Sequence, residues 1–269
     1  MANHHGDFIW YELITPDPDA AQAFYGPLLG WSFKAMGAPD MDYRLAGTAE
    51  SHVAGIMKMP TDAEGEMPPA WIGYVGVDDV DAMAASITSG GGAVHMEPWD
   101  VPGVGRMAFV SDAQGAMFYV MKGSVEDGES LSFSHDKPRI GHCAWNELAT
   151  SDPAAALHFY GQRFGWVKDG EMDMGPMGKY EFIRHAGRAP EGTPPGSGMI
   201  GAIYPKMPED PNAHWLFYFR VADIDAALAH IEATGGKLHQ PPTEVPGGDF
   251  SLIGVDPQGA AFALVGNRA

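Results

Sequence analysis

The stretch Gly6-Asp-Phe-Ile-Trp10-Tyr-Glu12-Leu13-Ile-Thr15-Pro-Asp17-Pro18, running on to Phe24-Tyr25-Gly26 and Gly30-Trp31, returns later in the chain. Its second form is Gly141-His-Cys-Ala-Trp145-Asn-Glu147-Leu148-Ala-Thr150-Ser-Asp152-Pro153, then Phe159-Tyr160-Gly161 and Gly165-Trp166. The offset is 135 from Gly6 to Gly141 and 135 again from Trp31 to Trp166, so this is an internal duplication and not shared composition. A second block repeats as well: Trp71 to Val77 with Asp79 and Asp81 matches Trp215 to Val221 with Asp223 and Asp225, and Asp112-Ala-Gln114-Gly115-Ala116 matches Asp256-Pro-Gln258-Gly259-Ala260. Here the offset is 144, which places a longer loop between the blocks of the second copy.

The duplication divides 269 residues into two domains, 6–123 and 139–267, joined by a polar, acidic linker over 124–138. Domains of roughly 120 residues are large enough to bury a core. With 45% apolar and 19% charged residues the composition is globular, and no apolar run is long enough to span a bilayer. The first residues, Met1-Ala-Asn-His-His5-Gly, have neither the basic nor the apolar region of a secretory signal, and His4 and His5 read as a disordered end. Cys143 is the single cysteine, so no intramolecular disulfide exists, in keeping with a cytoplasmic protein. A formal charge of −19 with only 16 Lys and Arg opposes nucleic-acid binding and gives a solvated acidic surface. No membrane partner is implied, and the chain reads as a monomer or homodimer.

Each copy opens with period-two alternation, Phe8 to Thr15 and His142 to Thr150, the signature of a half-buried strand. A helix follows, with Asp17 or Asp152 as N-cap, Pro18 or Pro153 at the first helical position, and Gly30 or Gly165 at the end. Short strands are predicted around Tyr43 to Ala46 and Val53 to Met59, matched by Tyr180 to Arg184 and Met199 to Tyr204. Each domain then restarts with a strand at Trp71 or Trp215, a helix capped by Asp79 or Asp223, and three closing strands, the last two joined by turns at Asp112 and Asp256.

Asp-Pro-x-Ala-Ala-x-x-Phe-Tyr-Gly, Leu-Gly-Trp, Val-Asp-Asp-Val-Asp-Ala and Asp-x-x-Gly-Ala resemble the vicinal oxygen chelate superfamily of glyoxalases, extradiol dioxygenases and bleomycin resistance proteins. The resemblance covers nearly the whole chain. It implies an α+β fold of four βαβββ modules forming two open, cup-like mixed sheets. In the metalloenzymes of the superfamily, His, Gln or Glu on the first and last strands of each module hold a divalent ion on the cup floor. Carried onto this sequence, the first-strand slots fall on Trp10 and Trp145, the second on Ile72 and Leu216, and the last-strand slots on Tyr119 and Ala263. The remaining slot, on the Val53 or Met199 strand, has no Glu in either copy. Indole, isobutyl and methyl groups offer no lone pair to a transition metal, and a phenol is a poor substitute. The expectation is no metal and no cofactor; the alternative is a divalent metal held by other ligands.

Glu12 and Glu147 lie two residues beyond the Trp slots, hence on the same inward face, where each acts either as a general acid/base or as a hydrogen-bonded part of the floor. His214 faces the same cup as Glu147 by parity, while the first copy has Ala70 in its place, so Glu147 and His214 are the candidate catalytic pair. The competing reading leaves His214 in solvent at the strand's start. Ala263 in place of Tyr119 predicts a roomier second cup. Trp10, Glu12, Tyr74, Tyr119, Trp145 and Tyr218 are candidate ligand-binding residues, with core packing as the plainer account of the tyrosines. Trp71 and Trp215 point to the helices, and His142 points away from the cup. The loops at Val101 and Val245 overhang the final strands as potential lids; Arg106 holds either an anionic ligand or a surface carboxylate. Three functions follow: binding or metal-free acid/base conversion of a small carbonyl-bearing or aromatic compound; a metal-dependent lyase or dioxygenase; or a structural protein with filled cups.

Overall fold

The computed structural model describes residues 3–36, 41–60, 67–124, 129–186 and 198–268. The first copy begins with β1 (Phe8–Thr15) and α1 (Pro18–Leu29), the second with β9 (Cys143–Thr150) and α3 (Pro153–Phe164). Asp17 and Asp152 cap these helices, each accepting the backbone N–H three residues on at 3.0 Å. Gly30 and Gly165 end them with φ of +67° and +68°, the left-handed conformation that glycine adopts without steric cost. Three strands follow in each copy: β2 (Ser32–Met36), β3 (Tyr43–Gly47) and β4 (His52–Lys58), matched by β10 (Trp166–Asp173), β11 (Lys179–His185) and β12 (Met199–Pro205).

The second module of the first copy is β5 (Ala70–Gly76), α2 (Val80–Ser89), β6 (Ala93–Val101), β7 (Gly105–Ser111) and β8 (Met117–Gly123). Its counterpart is β13 (His214–Val221), α4 (Ile224–Ala233), β14 (Lys237–Glu244), β15 (Phe250–Val255) and β16 (Ala261–Gly266). The strands form two eight-stranded sheets, ordered β2-β3-β4-β1-β5-β8-β7-β6 and β10-β11-β12-β9-β13-β16-β15-β14. Within each module the first strand pairs in parallel with the last and the other neighbours are antiparallel, which gives the mixed βαβββ pattern.

By packing, the chain forms two compact units that do not follow the two copies. One unit is Met1–Ile9, Gly73–Ser130 and Asn146–Trp215; the other is Trp10–Ile72, Leu131–Trp145 and Leu216–Ala269. Each unit therefore joins half of one copy to half of the other. The same bonds do this work in both. In the first unit Trp166 Nε1 donates to Gly6 O at 2.9 Å, the Tyr160 hydroxyl to Asp112 Oδ2 at 3.0 Å, and Trp215 Nε1 to Tyr160 Oη at 3.2 Å. In the second unit Trp31 Nε1 donates to Gly141 O at 2.7 Å, Tyr25 to Asp256 Oδ2 at 3.0 Å, and Trp71 Nε1 to Tyr25 Oη at 3.0 Å. Gly6 and Gly141 have positive φ, and a Cβ on either would meet a backbone oxygen at 2.5 or 2.7 Å, so the close approach needs glycine.

Asp112 and Asp256 are buried turn residues whose second oxygen accepts two and three backbone N–H groups respectively. Burial raises the pKa of both carboxyls, opposed by these hydrogen bonds. Burial, followed by the neighbouring Asp, also drives Tyr25 and Tyr160 well above the ordinary phenol range, so both remain donors.

One expectation changes. His5 is not a loose end: its Nε2 bonds Arg163 O at 2.7 Å and its ring lies 6.1 Å from that of Phe164, because the segment before β1 packs on α3. Where the linker lies among the described residues it is tied down: Ser130 Oγ donates to Ile9 O, Ser132 is buried, and Phe133 bridges Cys143. Among the described residues no helix is long and apolar enough to cross a membrane.

Candidate functional site

The first-strand carboxylates sit differently in the two copies. In the first unit, Glu147 on β9 is 8% exposed and accepts a short hydrogen bond at Oε1 from the Tyr180 hydroxyl of β11. β12 runs parallel to β9 with Ala202 opposite Glu147 and Tyr204 opposite Ala149, so the alternation of strands puts Glu147 and Tyr204 on one face, two register positions apart. The Tyr180 ring stacks on Tyr204, centroids 5.6 Å apart and 27° between planes, and meets Phe182 edge-on at 5.5 Å. All three rings are half-buried. The result is a buried carboxylate framed by a solvent-reachable aromatic group. Burial, then the Glu147 charge, then Asp210 raise the Tyr204 phenol above its usual range, which keeps it protonated.

In the second unit, Glu12 on β1 is 4% exposed and stands opposite Gly55 of β4. The hydroxyl of Tyr43, the β3 residue matching Tyr180, accepts from Trp10 Nε1 at 3.1 Å. It does so in the space a side chain on residue 55 would take: a Cβ on Gly55 would lie 2.1 Å from Tyr43 Oη. The second copy has Ala202 at that register position and Tyr204 where the first has Met57.

The last strands differ too. In the first unit Tyr74 stacks on Tyr119 at 4.3 Å and 19°, with Phe109 at 4.7 Å and Trp99 edge-on at 6.2 Å from Tyr119. The matching positions in the second unit are Tyr218, Ala263, Ile253 and Thr243, a much smaller set. Leu216, Tyr218 and Ala263 form a buried cluster against which Trp145, Ile253 and Val265 pack. Trp145 also meets the His135 ring at 5.1 Å.

His214 is the first residue of β13 and exposed, and its ring Nδ1 is bonded to Asn212 O at 3.2 Å. Among the described residues that is its hydrogen bond, so the structure does not join it to Glu147; the position at the strand's start leaves it in solvent. Tyr180 and Tyr204, quoted in the sequence only as strand residues, are what surrounds Glu147. Trp71 and Trp215 reach Tyr25 and Tyr160 of the helices, as parity requires. Arg106 binds Asp81 and Asp100, two surface carboxylates. His142 is buried, with Nδ1 at 2.5 Å from Leu131 O. Burial pushes the Cys143 thiol up to about 12, so it is no nucleophile near neutral pH.

At the positions where the superfamily's metalloenzymes carry their ligands, the donor chemistry does not fit a metal ion. Ile72, Leu216 and Ala263 carry no side-chain heteroatom, and Tyr119 offers only a phenol, a poor ligand for a divalent ion.

The glyoxalase/bleomycin resistance protein/dioxygenase superfamily profile matches residues 7–120 and 139–264. The candidate glyoxylase CFP32 of Mycobacterium tuberculosis is 36% identical over 259 residues, spanning 95% of this chain and 93% of its own. The anthracycline biosynthesis protein DnrV of Streptomyces peucetius is 30% identical over 268 residues, spanning 95% and 91%. Among solved structures, the Mn(II)-bound glyoxalase of Novosphingobium aromaticivorans superimposes with a TM-score of 0.62 at 16% identity, covering 98% of this chain and 83% of that one. The 2,3-dioxygenase LapB of Pseudomonas sp. KL28 gives 0.63 at 10% identity, covering 99% and 94%. The doubled βαβββ order, the two mixed sheets and the two profile matches together establish that this chain belongs to the glyoxalase/bleomycin resistance protein/dioxygenase superfamily.

Proposed function

We propose that the chain binds a small, flat, carbonyl-bearing compound at the Glu147 face of its second copy and moves a proton on it without a metal. The observation that carries this reading is the buried Glu147 carboxylate, fixed by the Tyr180 hydroxyl and opening onto the half-buried rings of Tyr180, Phe182 and Tyr204. A carboxylate so held is oriented before the ligand arrives, and the rings offer a stacking surface that favours a planar partner. The anthracycline biosynthesis relative supports the same class, since anthracyclines are fused aromatic rings that bear carbonyls.

The proposed step is proton abstraction next to a carbonyl. Glu147 takes the proton from the C–H; that bonding pair becomes a C=C bond, and the carbonyl π pair moves onto oxygen. Return of the proton to the same carbon gives exchange, and return to another carbon gives an isomer. No oxidant or reductant is involved. A positioned general base contributes about 10²–10⁴-fold.

The test is proton exchange of 2-tetralone, a flat bicyclic ketone with acidic C–H bonds, followed by NMR in D₂O with chelator-treated protein. The expected result is exchange above the buffer rate that survives chelation and falls at least about 100-fold in Glu147→Gln. A buffer-level rate, or a rate that chelation removes, overturns the proposal.

A further inference from the structure

The geometry points to the Tyr204 hydroxyl as the donor that holds the ligand's carbonyl oxygen, making it the residue that selects ketones and aldehydes over hydrocarbons of the same shape. This rests on the reading that the Glu147 face is the ligand site.

The other phenols described above are engaged. Tyr180 donates to Glu147, Tyr43 accepts from Trp10, and Tyr25 and Tyr160 donate to buried aspartates. The Tyr204 hydroxyl has no hydrogen-bond partner among the described residues, yet its ring is fixed by the stack on Tyr180. A phenylalanine would stack equally well, so what the hydroxyl adds is a donor. The parallel register sets that donor on the face of Glu147, two residue pairs along the strands, so a carbonyl oxygen and its neighbouring C–H can be addressed by different groups. The first copy has Met57 at this position, with no donor to offer. Burial and the Glu147 charge keep the phenol protonated, as a donor must be. When Glu147 removes the C–H proton and negative charge grows on oxygen, this hydrogen bond strengthens, which is how such a donor lowers the barrier.

The test uses fluorenone and fluorene, two flat tricyclic probes that differ in the carbonyl, titrated by calorimetry into the full chain. The wild type is expected to bind fluorenone about five- to tenfold more tightly, the worth of roughly one hydrogen bond. Tyr204→Phe should bring that preference below about twofold and leave fluorene affinity unchanged, because no bond within the protein is lost. Tyr204→Met, which installs the first copy's residue, should lose the preference and weaken both probes by removing the stack. A preference that persists in Tyr204→Phe overturns the inference. Equal binding of both probes by wild type, with Glu147-dependent exchange of 2-tetralone intact, overturns the inference alone. Failure of both probes to bind together with absent exchange overturns the reading of the site as well.

Discussion

The two first-strand carboxylates share a sequence context and differ in their surroundings. Around Glu12, Gly55 leaves room for the Tyr43 hydroxyl to lie over β4 and take the Trp10 indole N–H. Around Glu147, Ala202 stands at the corresponding register position, and the Tyr180 hydroxyl donates to the carboxylate. The two surroundings thus differ by a methyl group at the position opposite the carboxylate, and Tyr204 in place of Met57 adds a second phenol beside Glu147. What both copies keep is structural: the Asp–Tyr–Trp chains and the Trp-to-Gly bonds recur with nearly the same distances. The duplicated Asp–Tyr–Trp chains and Trp-to-Gly bonds hold the fold together here, and the diverged positions, Ala202 and Tyr204, change the surroundings of a carboxylate that both copies keep.

If that division is correct, removing the kept bonds should hurt both units alike. Tyr160→Phe leaves an oxygen of the buried Asp112 without its phenol donor and the Trp215 N–H without an acceptor; Tyr25→Phe does the same to Asp256 and Trp71. Each should cost about 1–3 kcal/mol. That corresponds to a Tm lowered by roughly 3–10 °C in calorimetry. A large loss in one variant and none in the other would break the comparison at its base.

The diverged position can be exchanged. Gly55→Ala sets a Cβ against Tyr43 Oη, so the ring must swing and release Trp10; the expected cost is about 1–2 kcal/mol, with a shift in tryptophan emission. The reverse change, Ala202→Gly, meets no such clash and should cost only about 0.5–1 kcal/mol through backbone entropy. Thermal unfolding of the two variants checks the asymmetry, and equal effects would remove the methyl group from the explanation.

The smallest effect concerns pH. His142 occupies the place of Asp7 in the first copy, and burial lowers its pKa, with Arg139 acting in the same direction while the Leu131 carbonyl and Glu50 oppose them. The folded state then binds this proton less readily than the unfolded chain. Its contribution to stability is present above the unfolded value near 6.5 and is lost as pH falls from there through the depressed folded value. Tm measured between pH 7 and pH 5 should fall, and should fall less steeply in His142→Gln. Identical slopes would show that the proton is taken up elsewhere.

Much of the architecture was legible because the duplication repeats its own punctuation. Asp-Pro at the helix starts and Gly at their ends lie where capping demands, and parity alone aimed Trp71 and Trp215 at the helices. The strands β2 and β10 gave no such signal. Both are exposed along most of their length, so no apolar alternation marks them, and they are held by pairing with β3 and β11. The site was half legible. Glu147 followed from its distance to Trp145, but Tyr180 and Tyr204 come from strands where the offset has drifted from 135 toward 144 and beyond, so their match to Tyr43 and Met57 emerges only from the register. His214 has a residue type suited to proton transfer, and as the first residue of its strand it is exposed, with Nδ1 on Asn212 O.

The central claim is that one of two similar carboxylates works and the other does not. It is tested most directly by measuring 2-tetralone exchange by NMR on chelator-treated Glu12→Gln and Glu147→Gln side by side. The account predicts a rate within about twofold of wild type for Glu12→Gln and a loss of at least about 100-fold for Glu147→Gln. Equal losses in both variants, or a loss confined to Glu12→Gln, would contradict it.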